Sequence, residues 1–180
     1  MVLVTGGAYQ GKLDYAKKRY GVTDRWIDGR SCDFSRITTC RGIHHFHEYV
    51  RRMAGAEEPD PAEGSESQNA AGQADRLEPG VPAAALIIPG ERPGAGQECI
   101  WDFRTADLTA LEEQAEAFAF WLLRENPDLV IVTDELGCGI VPMEKRDRLW
   151  REMTGRICTC LAAKADEVTR VVCGIGTRLK

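Results

Sequence analysis

Glycine and lysine residues near the start of the chain have a spacing that is typical of phosphate binding. Gly6, Gly11 and Lys12 fit the pattern G-x-x-x-x-G-K, in which loop amides surround phosphate oxygens and the lysine reaches the outer phosphates. An apolar run at 2–5 precedes the loop and a helix-compatible segment at 14–20 follows it, so the positive end of a helix would also face the anion. The predicted nucleotide-binding residues are Gly6, Gly7, Ala8, Tyr9, Gln10, Gly11, Lys12 and Leu13.

One position of the loop departs from the pattern. A serine or threonine, whose hydroxyl binds Mg²⁺, ordinarily follows the lysine, but this chain has Leu13. The remaining motif still favours phosphate binding, with Mg²⁺ and either ATP or GTP as the expected cofactors. The alternative is a glycine-rich turn of an α/β protein that carries an exposed lysine.

Two carboxylates follow a second apolar run. Residues 129–133 are continuously apolar or β-branched, which is typical of a buried parallel strand that delivers Asp134 and Glu135 to its carboxyl end. Ligands of parallel sheets bind at that edge, so the pair and the glycine loop can meet one nucleotide. We expect Asp134 and Glu135 to bind Mg²⁺, and Lys12 and Glu135 to be catalytic. The alternative is an acidic pair that only caps or solvates a loop.

Apolar periodicity predicts an α/β fold, with a mostly parallel sheet and helices on both faces. Strands are predicted at 2–5, 129–133 and 168–172, with shorter candidates at 25–29 and 36–40. Helices are predicted at 12–20, at 43–53, from a capping box at 109–112 to Asn126, and at 144–164.

The segment 54–80 has a different composition from the rest of the chain. It is rich in Ala, Glu, Gly, Pro and Ser and lacks apolar periodicity, which predicts a flexible insert. A strand is possible at 83–88, and order is expected to return at 99–103. The chain as a whole is interpreted as one P-loop nucleotide-binding domain over 1–180, long enough for a single core.

Composition restricts the possible partners and the compartment. A net charge of −5 without a basic block argues against nucleic acid, and no apolar run approaches the length of a membrane span. No secretory signal pattern is visible. The seven cysteines are odd in number and dispersed, which favours reduced thiols in the cytoplasm and small buried side chains rather than metal ligands.

Several segments resemble one known family. Residues 132–142, VTDELGCGIVP, are similar to the signature V-T-N-E-V-G-x-G-I-V-P of the adenosylcobinamide kinase / adenosylcobinamide-phosphate guanylyltransferase family. RLWREMTGR at 148–156 and LAAKADEV at 161–168 resemble that family's R-x-F-R-D-x-x-G-R and L-A-x-x-A-D-E-V. LVTGGA at 3–8, with Gly11-Lys12, resembles its opening L-V-T-G-G-A-R-S-G-K-S. The chain is identified as a divergent member.

The resemblance implies a RecA-like P-loop fold and two reactions. The family phosphorylates the hydroxyl of adenosylcobinamide and then attaches GMP through a guanylylated histidine. A nucleotide and a corrinoid are therefore the implied partners, and a homo-oligomer, a trimer, is the implied assembly.

Departures from the family pattern affect the second reaction most. Leu13 and Gln10 replace serines, and Asp134 stands where the family has Asn. The segment 20–40 is too short for the family's guanylylated-histidine segment, and the only histidines are His44, His45 and His47.

These departures lead to two hypotheses. His47 is expected in the core or an interface, and His44 and His45 in solvent, so none is favoured as the guanylyl acceptor. The kinase half-reaction is therefore favoured. The alternative is a catalytically degenerate member that binds a nucleotide or corrinoid as a partner subunit.

Overall fold

The computed structural model describes residues 1–21, 25–54 and 108–180. The predicted insert beyond residue 54, the possible strand at 83–88 and the segment 99–103 lie outside the described residues. In chain order the elements are β1 Val2–Gly6, α1 Lys12–Tyr20, β2 Trp26–Asp28, β3 Gly42–His44, α2 Phe46–Met53, α3 Leu108–Glu125, β4 Val130–Asp134, α4 Lys145–Lys164, β5 Glu167–Val172 and β6 Ile175–Arg178.

The strands form one sheet in the order β2-β3-β4-β1-β5-β6. Neighbouring strands are parallel except for β5 and β6, which form an antiparallel hairpin. β1 lies between β4 and β5, and its register pairs Gly6 with Asp134. The glycine loop therefore leaves the sheet beside the predicted carboxylate. The predicted class, an α/β RecA-like P-loop fold with a mostly parallel sheet, is confirmed.

Helices cover both faces of this sheet because alternate strand residues point to opposite sides. Leu3 and Ile131 belong to the larger core, which α2, α3 and α4 also line. Val4 and Val132 belong to the smaller core, to which α1 contributes Ala16. β1 and β4 are thus buried on both sides, as their continuous apolar sequence predicts.

The predicted apolar stripe of α3 is confirmed. Its members are fully buried or nearly so: Leu111, Ala115, Phe118, Ala119 and Leu122. The helix ends at Glu125, and the buried Asn126 that follows donates its side-chain amide to the carbonyls of Ile37 and Cys40 at 2.9 and 2.8 Å. Among the residues that the structure describes, no helix combines the length and the apolar character needed to cross a bilayer.

Three boundary predictions are wrong. Residues 36–40 do not form a strand; a 3₁₀ helix spans Phe34–Thr38, because the Asp33 carboxylate accepts the Ser35 N–H and starts a turn. The strand of this region is β3, so Ile43 lies in the sheet and α2 begins only after His45, which has a left-handed backbone at φ 52°. α3 begins at Leu108, so Thr109 lies within the helix instead of capping it.

The described cysteines are free thiols in different environments. Cys32 and Cys40 are buried as predicted, and burial raises the pKa of Cys40 to about 11. Cys138 and Cys173 are exposed, so the prediction of small buried side chains is wrong for these two. Cys138 ends a short 3₁₀ helix that follows β4, and Cys173 lies in the turn between β5 and β6.

Candidate functional site

Close backbone contacts shape the glycine loop. A Cβ on Gly6 would lie 2.4 Å from the Val171 carbonyl oxygen, and Gly11 caps α1 with φ 76°. Tyr9 also has a positive φ of 59°, and its side chain is fully exposed. Only glycine fits the first of these positions without displacing backbone, which explains why glycines flank the loop.

The loop is tied to the turn between β5 and β6 through Gln10. The Gly174 N–H donates to the Gln10 carbonyl at 2.8 Å, and the Cys173 N–H donates to its side-chain oxygen at 2.7 Å. Gln10 therefore fixes the loop instead of facing a ligand with its side chain. The sequence pattern did not predict this turn as part of the site, because its contribution comes from backbone groups.

Lys12 lies at the centre of the site. Its Nζ donates to the Gly7 carbonyl at 3.1 Å and forms an ion pair with Asp134 Oδ1. The two side chains are only 11% and 19% exposed, so the lysine is not exposed as the alternative of a plain glycine-rich turn assumes. The structure does bring together the loop lysine and the carboxylate that the sequence placed at the same sheet edge.

Glu135, which directly follows β4, is held by Arg170 of β5. Both of its carboxylate oxygens accept from the Arg170 guanidinium, at 2.9 and 2.8 Å, and its N–H donates to the Gly6 carbonyl at 3.0 Å. Asp134 and Glu135 therefore have different partners, a lysine and an arginine respectively. Arg170 is an additional site residue, brought in because β5 pairs with β1 opposite Thr5.

The carboxylates suit Mg²⁺ unequally. Mg²⁺ prefers oxygen ligands, and Asp134 is a half-buried carboxylate next to the loop. Glu135 would have to release a two-fold arginine contact before it could bind a metal. Leu13 follows Lys12 in the first turn of α1 and supplies no oxygen. Asp134 fits the metal best, because its ion-pair partner Lys12 belongs to the loop and can turn to a bound phosphate.

His47 is buried against Asp134. Its Nδ1 accepts the backbone N–H of Asp134 at 3.2 Å and lies 3.9 Å from that residue's carboxylate. Burial lowers the pKa of His47, and the attraction of Asp134 opposes this only in part. A neutral ring with its proton on Nε2 satisfies this arrangement. The predicted core location is correct, but the sequence pattern did not indicate that His47 contacts the site.

His44 and His45 are not solvated, contrary to the prediction. Their side chains are 16% and 32% exposed and both Nδ1 atoms face Asp28. The prediction failed because residues 43–45 were assigned to a helix, whereas β3 carries His44 to the sheet edge beside the end of β2.

A cleft of about 890 Å³ adjoins the carboxylates. It lies between α3, α4 and the segment 134–141, and Thr5 and Thr154 form part of its wall. The segment is held by α4: Arg151 donates to the carbonyls of Gly137 and Ile140 at 2.6 and 3.1 Å. A second substrate bound in this cleft would lie next to the ends of β1 and β4.

Comparison with known proteins shows similarity in the C-terminal part of the chain. The sequence model of the family described as cobinamide kinase / cobinamide phosphate guanyltransferase matches residues 98–179. The C-terminal part of the chain is thus similar to this family. The matched range contains β4, α4, β5 and β6 together with Asp134, Glu135 and Arg170. It does not include the glycine loop or the histidines.

Curated proteins are similar to the chain over a comparable length. The chain is 38% identical over 80 residues to the bifunctional adenosylcobalamin biosynthesis protein CobU of Salmonella typhimurium, and 36% identical over 80 residues to that of Escherichia coli. Each alignment covers 44% of this chain and 44% of the relative. The chain thus spans less than half the length of the curated relatives that it matches.

Proposed function

We propose that this protein binds Mg²⁺ and a nucleoside triphosphate on the loop 6–13 and transfers the γ-phosphoryl group to a hydroxyl of a cobinamide-type corrinoid. This is the kinase half of the activity named for its family. The contact between Lys12 and Asp134 at the foot of the loop is the observation that carries the proposal. An ammonium held there is positioned to receive phosphate oxygens.

The loop supplies most of the phosphate recognition. Amides of residues 7–13 and the N-terminus of α1 offer donors and a partial positive charge to the anion. Lys12 exchanges its Asp134 contact for the outer phosphates, and this exchange leaves the aspartate free for the metal. Mg²⁺, when bound, would neutralise charge on the β- and γ-phosphates, with Asp134 as its protein ligand.

The cleft is the proposed place for the acceptor. It reaches Asp134 and Glu135 from the side of α4, so a hydroxyl bound there approaches the γ-phosphate from the edge of the sheet. Glu135 is proposed to orient that hydroxyl, and Arg170 holds the carboxylate in place. Phosphoryl transfer depends chiefly on such positioning and on charge stabilisation.

The guanylyl step is proposed to be absent. An acceptor histidine must present a free ring nitrogen to the α-phosphate, but His47 Nδ1 already accepts a backbone N–H and its side chain is buried. The Nδ1 atoms of His44 and His45 face Asp28 and each other, and β4 separates β3, which carries His44, from β1, which the glycine loop follows. Incubation with GTP labelled in the α-phosphate should leave no label on the protein. A guanylylated histidine would restore the full bifunctional enzyme.

A second candidate is a nucleotide- or corrinoid-binding subunit without catalysis. Leu13 favours it, because the loop lacks the hydroxyl that binds Mg²⁺ in the usual motif. In that case the triphosphate binds but is not consumed.

Assembly and location are also proposals. The family resemblance supports a homo-oligomer, a trimer, and Ile140, Met143 and Ile175 are large exposed apolar residues that an interface could cover. Free thiols on the described residues support a reducing compartment, and we place the protein in the cytoplasm. Nucleic acid is not a proposed partner.

Phosphate transfer is the deciding experiment. Purified protein is incubated with γ-labelled ATP or GTP, with and without Mg²⁺, and with a cobinamide acceptor. Labelled corrinoid should form with wild type and with the control Lys145→Ala, an exposed lysine of α4, but not with Lys12→Ala. Nucleotide binding without transfer would favour the second candidate. Absence of nucleotide binding would contradict the kinase and leave only the corrinoid-binding form of the second candidate.

A further inference from the structure

We propose that Asp28, His44 and His45 form a binding site for a divalent transition metal of the zinc class. One ligand atom from each residue converges on a common point. The two Nδ1 atoms lie 2.8 Å apart, and Asp28 Oδ1 lies 3.1 Å from His45 Nδ1 and 3.7 Å from His44 Nδ1. All three atoms thus lie within 4.8 Å of one another.

These separations match a tetrahedral site. Zn²⁺ binds imidazole nitrogens and carboxylate oxygens at about 2.0–2.1 Å, so neighbouring ligand atoms of a tetrahedron are about 3.3 Å apart. Two of the three observed separations are shorter than this value and one is longer. Each edge differs from the ideal separation by no more than about 0.5 Å.

Asp28 also accepts from Arg30: Oδ1 accepts its backbone N–H at 3.0 Å, and Oδ2 accepts its Nε–H and an NH₂ group at 3.0 and 2.6 Å. Oδ2 can keep its Arg30 contacts while Oδ1 turns to a metal. Each of the three converging atoms is a lone-pair acceptor unless protonated. Convergent acceptors of this kind are stabilised by a cation.

The backbone holds the ligands in place. Asp28 ends β2 and His44 ends β3, and the two residues are paired in the sheet. His45 follows in a left-handed conformation, which directs its ring to the same side, and the Gly29 N–H donates to the His44 carbonyl at 2.8 Å. A non-glycine residue at 29 would place its Cβ 2.3 Å from the His45 carbonyl oxygen. The ligand geometry is thus built into the fold.

Ligand chemistry distinguishes this site from the proposed Mg²⁺ site. Two imidazoles and one carboxylate favour Zn²⁺, Ni²⁺, Cu²⁺ or Co²⁺ over Mg²⁺, which prefers oxygen. Three protein ligands leave a fourth position for water or for an anionic oxygen. The side chains are 16–32% exposed, so a metal can reach them from solvent.

Cobalt(II) spectroscopy tests the site without nucleotide, so its outcome is independent of the proposed kinase. Tag-free protein is titrated with Co²⁺ and then with Zn²⁺. We expect one equivalent of Co²⁺ with the visible absorption of four-coordinate cobalt and no sulfur-to-cobalt charge transfer, followed by displacement by Zn²⁺. Asp28→Asn, His44→Ala and His45→Ala should each weaken binding at least about tenfold. The control Asp33→Asn, a nearby exposed aspartate, should bind as wild type does.

Nitrogen NMR of wild-type protein covers the case in which a variant fails to fold. Zn²⁺ should shift the Nδ1 resonances of His44 and His45 more than those of His47, which accepts a backbone N–H. Thiolate charge transfer, equal affinity in the three ligand variants, or unchanged His44 and His45 resonances would overturn the proposal.

Discussion

The carboxyl edge of the sheet presents two groups of charged side chains with opposite character. At the ends of β1 and β4, a lysine ammonium meets an aspartate, and the pair is largely buried. At the ends of β2 and β3, an aspartate meets two imidazoles, and an exposed arginine lies beside it. The first group offers a fixed positive charge, whereas the second offers imidazole nitrogens.

This difference shows how one sheet edge can serve two kinds of ligand. A permanent ammonium beside loop amides suits a polyphosphate, and imidazoles beside a carboxylate suit a transition metal or a proton. His47 lies between the two groups: its ring accepts the Asp134 N–H and lies 6.0 Å from the His45 ring. It is the structural link between them.

The largest expected effects come from glycine-to-alanine substitutions that disrupt each group of side chains separately. Gly6→Ala would place a Cβ 2.4 Å from the Val171 carbonyl, and Gly29→Ala would place one 2.3 Å from the His45 carbonyl. Each should lower the free energy of unfolding by about 2–4 kcal/mol. Denaturant unfolding measures this change, and ligand titrations of the folded fraction show which group is lost.

Selectivity is the informative part of this comparison. Gly6→Ala should abolish nucleotide binding and spare Co²⁺ binding, and Gly29→Ala should do the reverse. Gly137→Ala is the matched control, because nothing lies within 4 Å of its added Cβ, and it should change stability by less than about 0.5 kcal/mol. Equal loss of both ligands in either variant would show that the two groups are not independent.

His47 should make the protein less stable in acid. The folded pKa is lowered from 6.5 to about 4 by burial, so the unfolded chain binds more protons between these values. The stability that the neutral ring contributes is complete above about pH 6.5 and is lost as the pH falls towards 4, by roughly 2–3 kcal/mol. Urea unfolding from pH 4.5 to 7.5 should show this slope, and His47→Gln should reduce it. An unchanged slope in that variant would contradict the buried neutral imidazole.

Leu13→Ser should have a moderate effect that is confined to the β1–β4 group. The hydroxyl restores an oxygen ligand to the loop. The Mg²⁺ concentration that supports half-maximal nucleotide binding should fall by about three- to tenfold, which corresponds to roughly 0.7–1.4 kcal/mol. Leu13→Ala, which removes the leucine without adding oxygen, is the control. The same Mg²⁺ dependence in both variants would show that metal binding does not use this position.

The smallest effect is expected at Arg170. Its side chain is 49% exposed, and exposed ion pairs contribute only about 0.2–1 kcal/mol. Arg170→Ala should lower Tm by no more than about 2–4 °C and leave nucleotide affinity unchanged, while slowing phosphate transfer if Glu135 orients the acceptor. A loss of affinity instead would indicate that Arg170 contacts the nucleotide directly.

Much of the fold could be predicted because long apolar runs and glycines have few interpretations. β1 and β4 were predicted to within a residue, since their burial on a parallel sheet requires continuous apolar sequence. α1 was predicted over its whole length, because glycines lie at both of its ends. The region 34–45 was not, because its elements are short and depend on one aspartate cap and one left-handed histidine. β6 was not predicted either, because it pairs through backbone groups and its residues are mostly exposed, so it has no apolar pattern.

The site was predictable where a motif specifies it. The glycine loop and the carboxylate of Asp134 follow from spacing and from the rule that parallel strands end at one edge. The roles of Gln10, Arg170 and Asp28 depend on contacts between distant segments, at separations that no local pattern encodes. Whether the loop binds a nucleotide stays a prediction.

Calorimetric titration with ATP and GTP tests that prediction most directly. Wild type, Lys12→Ala and Lys145→Ala are compared with and without Mg²⁺, after unfolding curves confirm that each protein is folded. We expect wild type and Lys145→Ala to bind one triphosphate per chain with Mg²⁺, and Lys12→Ala to bind at least about tenfold more weakly, since a charge-assisted contact contributes about 1.5–3 kcal/mol. Equal affinity in a folded Lys12→Ala variant would contradict the phosphate-binding role of the loop.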